Sequence, residues 1–391
     1  MLTMERVDRA SLIKRVKRVV VKVGSSVLTN EYGEISETMF DEIAREVSGI
    51  KSRGVDVVLV SSGAIAAGMK KLKLKEKPQE ISMKQAIAAC GQSTLMWYYE
   101  MAFSLFGEKV AQILLTHDGF SSRKRFLNAR KTLLTLLKMN VIPIVNENDS
   151  VAVEEIMLGD NDNLAALVTT LVEADLLVLL TDIDGLYSKD PRLYADATLI
   201  STIEEIDEYV KEIAGDTIGR TTTGGMKTKI EAARTVAAFG VPTIIANGKK
   251  KSTLRNIFAG KQVGTLFLPA KERLRGRKHW IAFTLKPAGE IVIDEGAKNA
   301  ISLYGKSLLP SGVKEVRGDF DIGDPVRCVD ESGVEVARGL VSYSSDEIRK
   351  IIGVKTSDIE GILGYKYGDE VIHRDDLVVV FKAKSRQEVG N

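Results

Sequence analysis

The chain has 391 residues, 44% of them hydrophobic and 28% charged, with 55 Lys and Arg against 53 Asp and Glu for a net charge of +2. That length asks for two or three domains, and so even a charge balance gives no overall pull toward nucleic acid or an acidic membrane. No apolar run approaches the roughly 20 residues that span a bilayer, residues 1–22 lack the apolar stretch of a secretory signal, and two cysteines, Cys90 and Cys328, make neither a disulfide framework nor a zinc site, so a cytoplasmic protein is expected.

In chain order, short Val/Ile/Leu-rich runs at 19–23, 55–60, 110–115, 141–145, 176–180 and 241–245 predict strands. Most are nearly continuous in apolar residues, the mark of strands buried on both faces of a parallel sheet. Amphipathic stretches at 37–51, 84–106, 125–138 and 226–239 predict the helices between them. This alternation predicts an α/β domain over residues 1–270, an open, mostly parallel sheet sandwiched by helices. A basic run at 271–279 opens a linker drawn to 287. Short strand-like runs at 290–294, 324–329, 334–341 and 376–381, separated by Gly, Asp and Ser, then predict a small β-rich domain at 288–382 and a tail at 383–391.

Ligands of open α/β sheets bind outside the carboxyl ends of the strands. Here nearly every such end is small, polar or glycine-rich: Gly24-Ser25-Ser26, Ser61-Ser62-Gly63, Asn146-Glu147-Asn148-Asp149, Thr181-Asp182 and Asn247-Gly248. Glycine and serine turns leading into helices offer N–H groups to phosphate, although each such turn alone is more often a plain turn. Neither a Walker A pattern nor G-x-G-x-x-G occurs, which argues against P-loop and Rossmann enzymes. Lys22 interrupts Val-Val-Val-Lys-Val, where an unpaired charge is costly; a snorkelling strand-end lysine is the bland account, a phosphate-directed lysine the sharper one. Residues 159–163, Gly-Asp-Asn-Asp-Asn, precede an apolar helix at 164–172 and hold more short acceptors than one N-cap requires. They could place an amino acid or magnesium. His117, His279 and His373 stand in unrelated contexts and suggest no general base.

Together these residues resemble the amino acid kinase superfamily, most closely its glutamate 5-kinase family. The resemblance rests on VVKVGSSVLT (20–29), SSGAIAAG (61–68), RFLNAR (125–130), NENDSVAVEEI (146–156), GDNDNLAALV (159–168), LLTDIDGLY (179–187) and TGGMKTKIEAA (223–233). The later stretches VDEGAKNAI (293–301), SLLPSGV (307–313) and YSSDEIRKI (343–351) are similar to a PUA module, a small β-rich barrel. The resemblance implies transfer of the γ-phosphoryl of ATP, with Mg²⁺, to the γ-carboxylate of L-glutamate, the first step of proline biosynthesis. It implies Lys22 and Lys229 on the phosphates, with Asp162 orienting them. Ser62, Asp149 and Asn161 would bind glutamate. Gly24, Thr181, Asp182 and the loop Thr223, Gly224, Gly225, Met226, Lys227, Thr228 and Lys229 would hold the nucleotide, with no protein side chain assigned as a direct metal ligand. It also implies a homo-oligomer, feedback by proline and a glutamyl phosphate reductase downstream. Aspartate or N-acetylglutamate is the alternative acceptor. RNA binding through the PUA-like module is the other reading, disfavoured because residues 288–367 carry ten Lys/Arg against fourteen Asp/Glu.

Overall fold

Val19, Val21 and Val23 point to one side of the strand Arg18–Val23 (β1), Val20 and Lys22 to the other, and all five are buried. A strand covered on both sides needs neighbours along both edges and helices above and below. In the computed structural model, which describes residues 8–76, 78–116, 123–151, 160–215, 225–269 and 287–380, β1 has all of these. Its parallel neighbours are β2 (Asp56–Ser61) and β5 (Leu176–Thr181). Beyond them lie β3 (Lys109–Leu115), β4 (Val141–Glu147), β6 (Thr202–Ile203), β7 (Thr243–Asn247) and β8 (Thr265–Phe267), in the order β3-β4-β2-β1-β5-β7-β8-β6. The sheet is parallel except where β8 turns against β7. Val19, Val57, Leu59, Val178 and Ile244 join one core under helices Glu37–Lys51, Ile81–Ser104 and Thr253–Phe258. Val20, Val58, Leu177, Leu179 and Ile245 join another under helices Asp160–Leu171 and Met226–Ala237. The mostly parallel, helix-covered sheet is the one expected.

Three details differ from the sequence reading. The run at 110–115 is the edge strand β3, and Lys109 and Gln112 are exposed, with no further strand beyond β3 among the described residues. β6 and β8 went unread because two or three residues carry no period; Arg9, buried, donates to the carbonyls of Ser201, Val263 and Gly264 and ties the first helix, Arg9–Lys14, to them. The acidic segment lies in the helix, not ahead of it: the helix begins at Asp160, and Asn161 and Asp162 sit in its first turn. Carboxylates are stabilised there by the unpaired N–H groups of the helix end.

The chain divides into two compact units, Met1–Arg273 and Leu274–Asn391. The second carries β9 (Gly289–Ile293), β10 (Val313–Arg317), β11 (Pro325–Val329), β12 (Glu335–Leu340) and β13 (Leu377–Val379), ordered β10-β9-β11-β12-β13, with only β9 and β11 parallel. Its core gathers Ile291, Val326, Tyr343 and Ile348, and helix Ser345–Ile351 starts on a reciprocal Ser344–Glu347 capping box. β10 was missed because Lys314, Glu315 and Arg317 are exposed and leave only two apolar positions. Of the expected linker (271–287) all but residue 287, and the whole tail (383–391), lie outside the described residues.

Candidate active site

From β1 the chain passes to β2 on one side, and from β5 it passes toward β7 on the other. Such a reversal leaves a crevice at the carboxyl ends of the two strands. Gly24 closes β1 onto β5, its N–H donating to the Leu180 carbonyl at 3.2 Å. A Cβ there would come within 3.2 Å of that oxygen and 3.8 Å of Lys22 Nζ, so glycine keeps the passage open. The residue next to it in space is Lys22, only 4% exposed.

Lys22 Nζ lies 2.8 Å from Asp162 Oδ1, and Lys229 Nζ lies 3.2 Å from Asp162 Oδ2. Thr228 Oγ1 donates to the same Oδ2 at 2.7 Å and lies 2.9 Å from the Gly225 carbonyl, the alternative acceptor for its one proton. Three elements thus deliver their charges to one point: the end of β1, the first turn of Asp160–Leu171 and the first turn of Met226–Ala237. Burial would raise the Asp162 pKa, but the lysines and Thr228 outweigh it and hold the carboxyl below the ordinary carboxylate range. Burial pushes the Lys229 ammonium down, and Lys22 beside it adds to that, against the pull of Asp162. Two cations share one anion in a place nearly closed to solvent, an arrangement complementary to a further anionic group.

On the β2 side the chain turns at Ser61-Ser62-Gly63, with Gly63 at φ 107°, a left-handed conformation that favours glycine. Helix Ile81–Ser104 crosses helix Ala64–Leu72 at Gly91 and Gly68 so closely that a Cβ on Gly91 would meet the Ala64 carbonyl at 1.9 Å. The crossing brings Tyr99 to Ser61, hydroxyl to hydroxyl at 2.8 Å, and Gln92 to Asn146 at 2.9 Å. Asn161 Nδ2 donates to Ser62 Oγ at 3.0 Å and to Asn146 Oδ1 at 3.1 Å. Of the residues expected to bind the acceptor, Ser62 and Asn161 are therefore in direct contact. Asp149 sits half-buried two residues past the end of β4. Gln92, Asn146 and Tyr99 were not singled out as site residues; Gln92 and Tyr99 stand in a helix whose apolar pattern gave them no distinction.

On the β5 side Thr181 is buried and its hydroxyl donates to Asp182 Oδ1 at 3.1 Å, with Asp182 exposed. Beside them Asp184 takes Lys250 Nζ at 2.7 Å, Asn247 Nδ2 at 3.1 Å and the Tyr187 hydroxyl at 3.3 Å. In the helix after the third glycine-rich turn, Met226 and Lys229 face inward, whereas Lys227 is exposed and joins none of these contacts. Thr223 and Gly224 lie outside the described residues, as do 152–159, His117 and His279.

The amino acid kinase family model matches residues 17–247 and the PUA domain model residues 289–363. Glutamate 5-kinase of Geobacter sulfurreducens is 54% identical over 372 residues, 95% of this chain and 100% of that protein. Glutamate 5-kinase of Caldanaerobacter subterraneus is 54% identical over 363 residues, 93% of this chain and 98% of its own, and that of Citrifermentans bemidjiense is 54% identical over 95% and 100%.

Proposed function

This chain belongs to the amino acid kinase family, within its glutamate 5-kinases, and from that membership we propose how its residues do the work. It is a kinase that phosphorylates the γ-carboxylate of glutamate at the head of proline biosynthesis, with ATP as donor. The observation that carries the assignment of roles is the buried Lys22–Asp162–Lys229 cluster at the crevice between β1 and β5.

A free carboxyl with an ordinary pKa near ~4.3 is an anion at neutral pH, so the acceptor needs no general base. What the site must provide is position and neutralisation of charge spreading over the transferring phosphoryl oxygens. Lys22 and Lys229 supply that charge from opposite sides. Asp162, ionised and immobile, keeps the two ammonium groups apart and aimed. Gly24 lets the phosphates approach the backbone, while Thr181, Asp182 and residues 223–229 hold the nucleotide. Ser62, Asp149 and Asn161 hold glutamate, Asp149 pairing with its α-ammonium. Mg²⁺ carried on the phosphates would neutralise further charge. Among the described residues no three His, Cys, Asp or Glu side chains cluster.

Trp97, Met101 and Leu105, spaced four residues apart, are exposed along and just after helix Ile81–Ser104, which packs against edge strand β3. An exposed apolar face of this kind suits a second copy of the chain, and a homo-oligomer is the state we infer. The acyl phosphate product is labile and needs a nearby reductase, glutamyl phosphate reductase. Among the described residues no helix is long and apolar enough to cross a membrane, and a cytoplasmic setting fits these partners. The test is a screen of glutamate, aspartate, N-acetylglutamate and other acidic amino acids with MgATP, trapping acyl phosphate as hydroxamate. Hydroxamate from glutamate above all others supports the reading; equal yield from N-acetylglutamate overturns it.

A further inference from the structure

The amide side chains around the acceptor turn form a chain whose direction is set by the backbone. The Glu147 N–H donates to Asn146 Oδ1 at 2.9 Å, so the other end of that amide is its NH₂. Asn146 Nδ2 then donates to Gln92 at 2.9 Å, and Gln92 must answer with Oε1 and turn Nε2 away. Asn161 faces two oxygens, Asn146 Oδ1 at 3.1 Å and the Ser61 carbonyl at 3.4 Å, so it presents Nδ2 and turns Oδ1 away. The two atoms turned away, Gln92 Nε2 and Asn161 Oδ1, are buried and have no hydrogen-bond partner among the described residues. Buried polar atoms are rarely left so, and an unmade bond of this kind is costly.

One spare donor and one spare acceptor are the complement of an α-amino acid, whose carboxylate accepts and whose ammonium donates. Their placement says which end of the acceptor they meet. Asn146 and Lys22 each stand one residue before the carboxyl end of their strands, β4 and β1, two strands apart in the order β4-β2-β1, roughly 10 Å at ordinary strand spacing. Gln92 therefore faces the end of the acceptor remote from the phosphoryl group.

We infer that Gln92 binds substrate, donating Nε2–H to the α-carboxylate of glutamate while Asn161 Oδ1 accepts from the α-ammonium. This rests on the acceptor assignment proposed above. The Gly68–Gly91 crossing sets the depth of Gln92, which is why a neutral side chain on a core helix can reach substrate.

The experiment compares steady-state kinetics of the full chain and its Gln92→Glu variant with two acceptors, glutamate and its α-amide, isoglutamine. Gln92→Glu keeps an oxygen for Asn146 Nδ2 and replaces only the donor, so a purely structural role leaves the kinetics unchanged. The expected result is a rise in KM for glutamate of at least about tenfold, with KM for ATP within about twofold of wild type. Isoglutamine, whose α-amide can donate, should gain on glutamate in the variant by a similar factor and lose to it in the wild type. Unchanged glutamate KM in the variant overturns the inference. If the variant does not fold, the wild type alone decides: equal kcat/KM for glutamate and isoglutamine overturns it, and a clear preference for glutamate supports it. A wild type that fails to phosphorylate glutamate defeats the acceptor assignment itself, a separate outcome read before any variant is made.

Discussion

The two units treat charge in opposite ways. Among the described residues the first buries Arg9, Lys22, Glu147, Asp162, Asp190 and Lys229, and the second buries only Asp330 of its charged residues. Asp330 is spent on local structure, accepting from Ser332 and Val334 and pairing with Lys298 at 2.9 Å. Its partner Lys298 remains 28% exposed, while Lys22 and Lys229 are each 6% exposed at the side chain. The second unit also has a cleft of about 710 Å³, but on its wall Lys306 and Arg374 are open to solvent, Glu370 is half-buried, and none of the three makes an ion pair among the described residues. A turn-stabilising carboxylate needs only its neighbours. A buried cluster of two lysines on one carboxylate carries an excess positive charge, which a further anion would balance.

Breaking the buried cluster should have the largest effect. Asp162→Ala leaves two buried lysines without their shared partner, costing on the order of 3–5 kcal/mol in denaturant unfolding and abolishing measurable phosphoryl transfer. Full activity in that variant would remove the cluster from the mechanism. Lys22→Ala and Lys229→Ala should each lower kcat by about 100-fold with little change in KM for glutamate, the pattern of a group acting on transition-state charge. Asp149→Asn should raise KM for glutamate by about tenfold while KM for ATP stays put, and N-acetylglutamate, lacking the cation, should be discriminated against by wild type to a similar degree. Aspartate should instead fail in kcat, its carboxylate falling one methylene short.

A pH series sharpens the contrast. The folded Lys229 pKa lies below the ordinary 10.5, chiefly through burial. Its charge therefore costs stability at neutral pH, and that cost is relieved as pH rises from the folded value to 10.5. Activity, which needs the charge, should fall across the same window, so kcat drops while the melting temperature of this unit gains; Lys229→Arg should abolish both trends. Asp330 behaves in the opposite sense. The Ser332 hydroxyl and then Lys298 hold its carboxyl below 3.8, so its contribution is complete above that pH and is lost as pH falls further. Asp330→Asn should blunt the acid sensitivity of the second unit and leave kcat and KM untouched, the smallest effect of the set. A chain ended at residue 270 should likewise fold and phosphorylate glutamate, since every residue placed in the site precedes it; total inactivity would refute that boundary.

Much of the first unit was legible because burial on both faces leaves no polar residue inside β1, β2 or β5 except where one is used. Lys22 stood out for that reason. By pattern alone Asp162 was one of several acceptors, since a helix turn and an N-cap draw on the same residue types; the family resemblance was what singled it out. Gln92 and Tyr99 were not legible at all: each acts on a residue 54 or 38 positions away, through a crossing set by glycines. Arg9 is the extreme case, its carbonyl partners lying 192 to 255 positions along the chain. Side chains that work by long-range hydrogen bonds leave no period in the sequence.

The contact between Gly68 and Gly91 also bears on how such a site can change over generations. A methyl on Gly68 would lie 2.0 Å from the Ile87 carbonyl, and one on Gly91 would strike the backbone of the facing helix just as hard. Because the obstacle is main chain, no single replacement elsewhere makes room, and the two positions form a locked pair across which neither helix can drift alone. Descendants of this chain can explore new acceptors at Gln92, Asn161 or Asp149 one step at a time, but the helix crossing that sets the depth of Gln92 admits no intermediate.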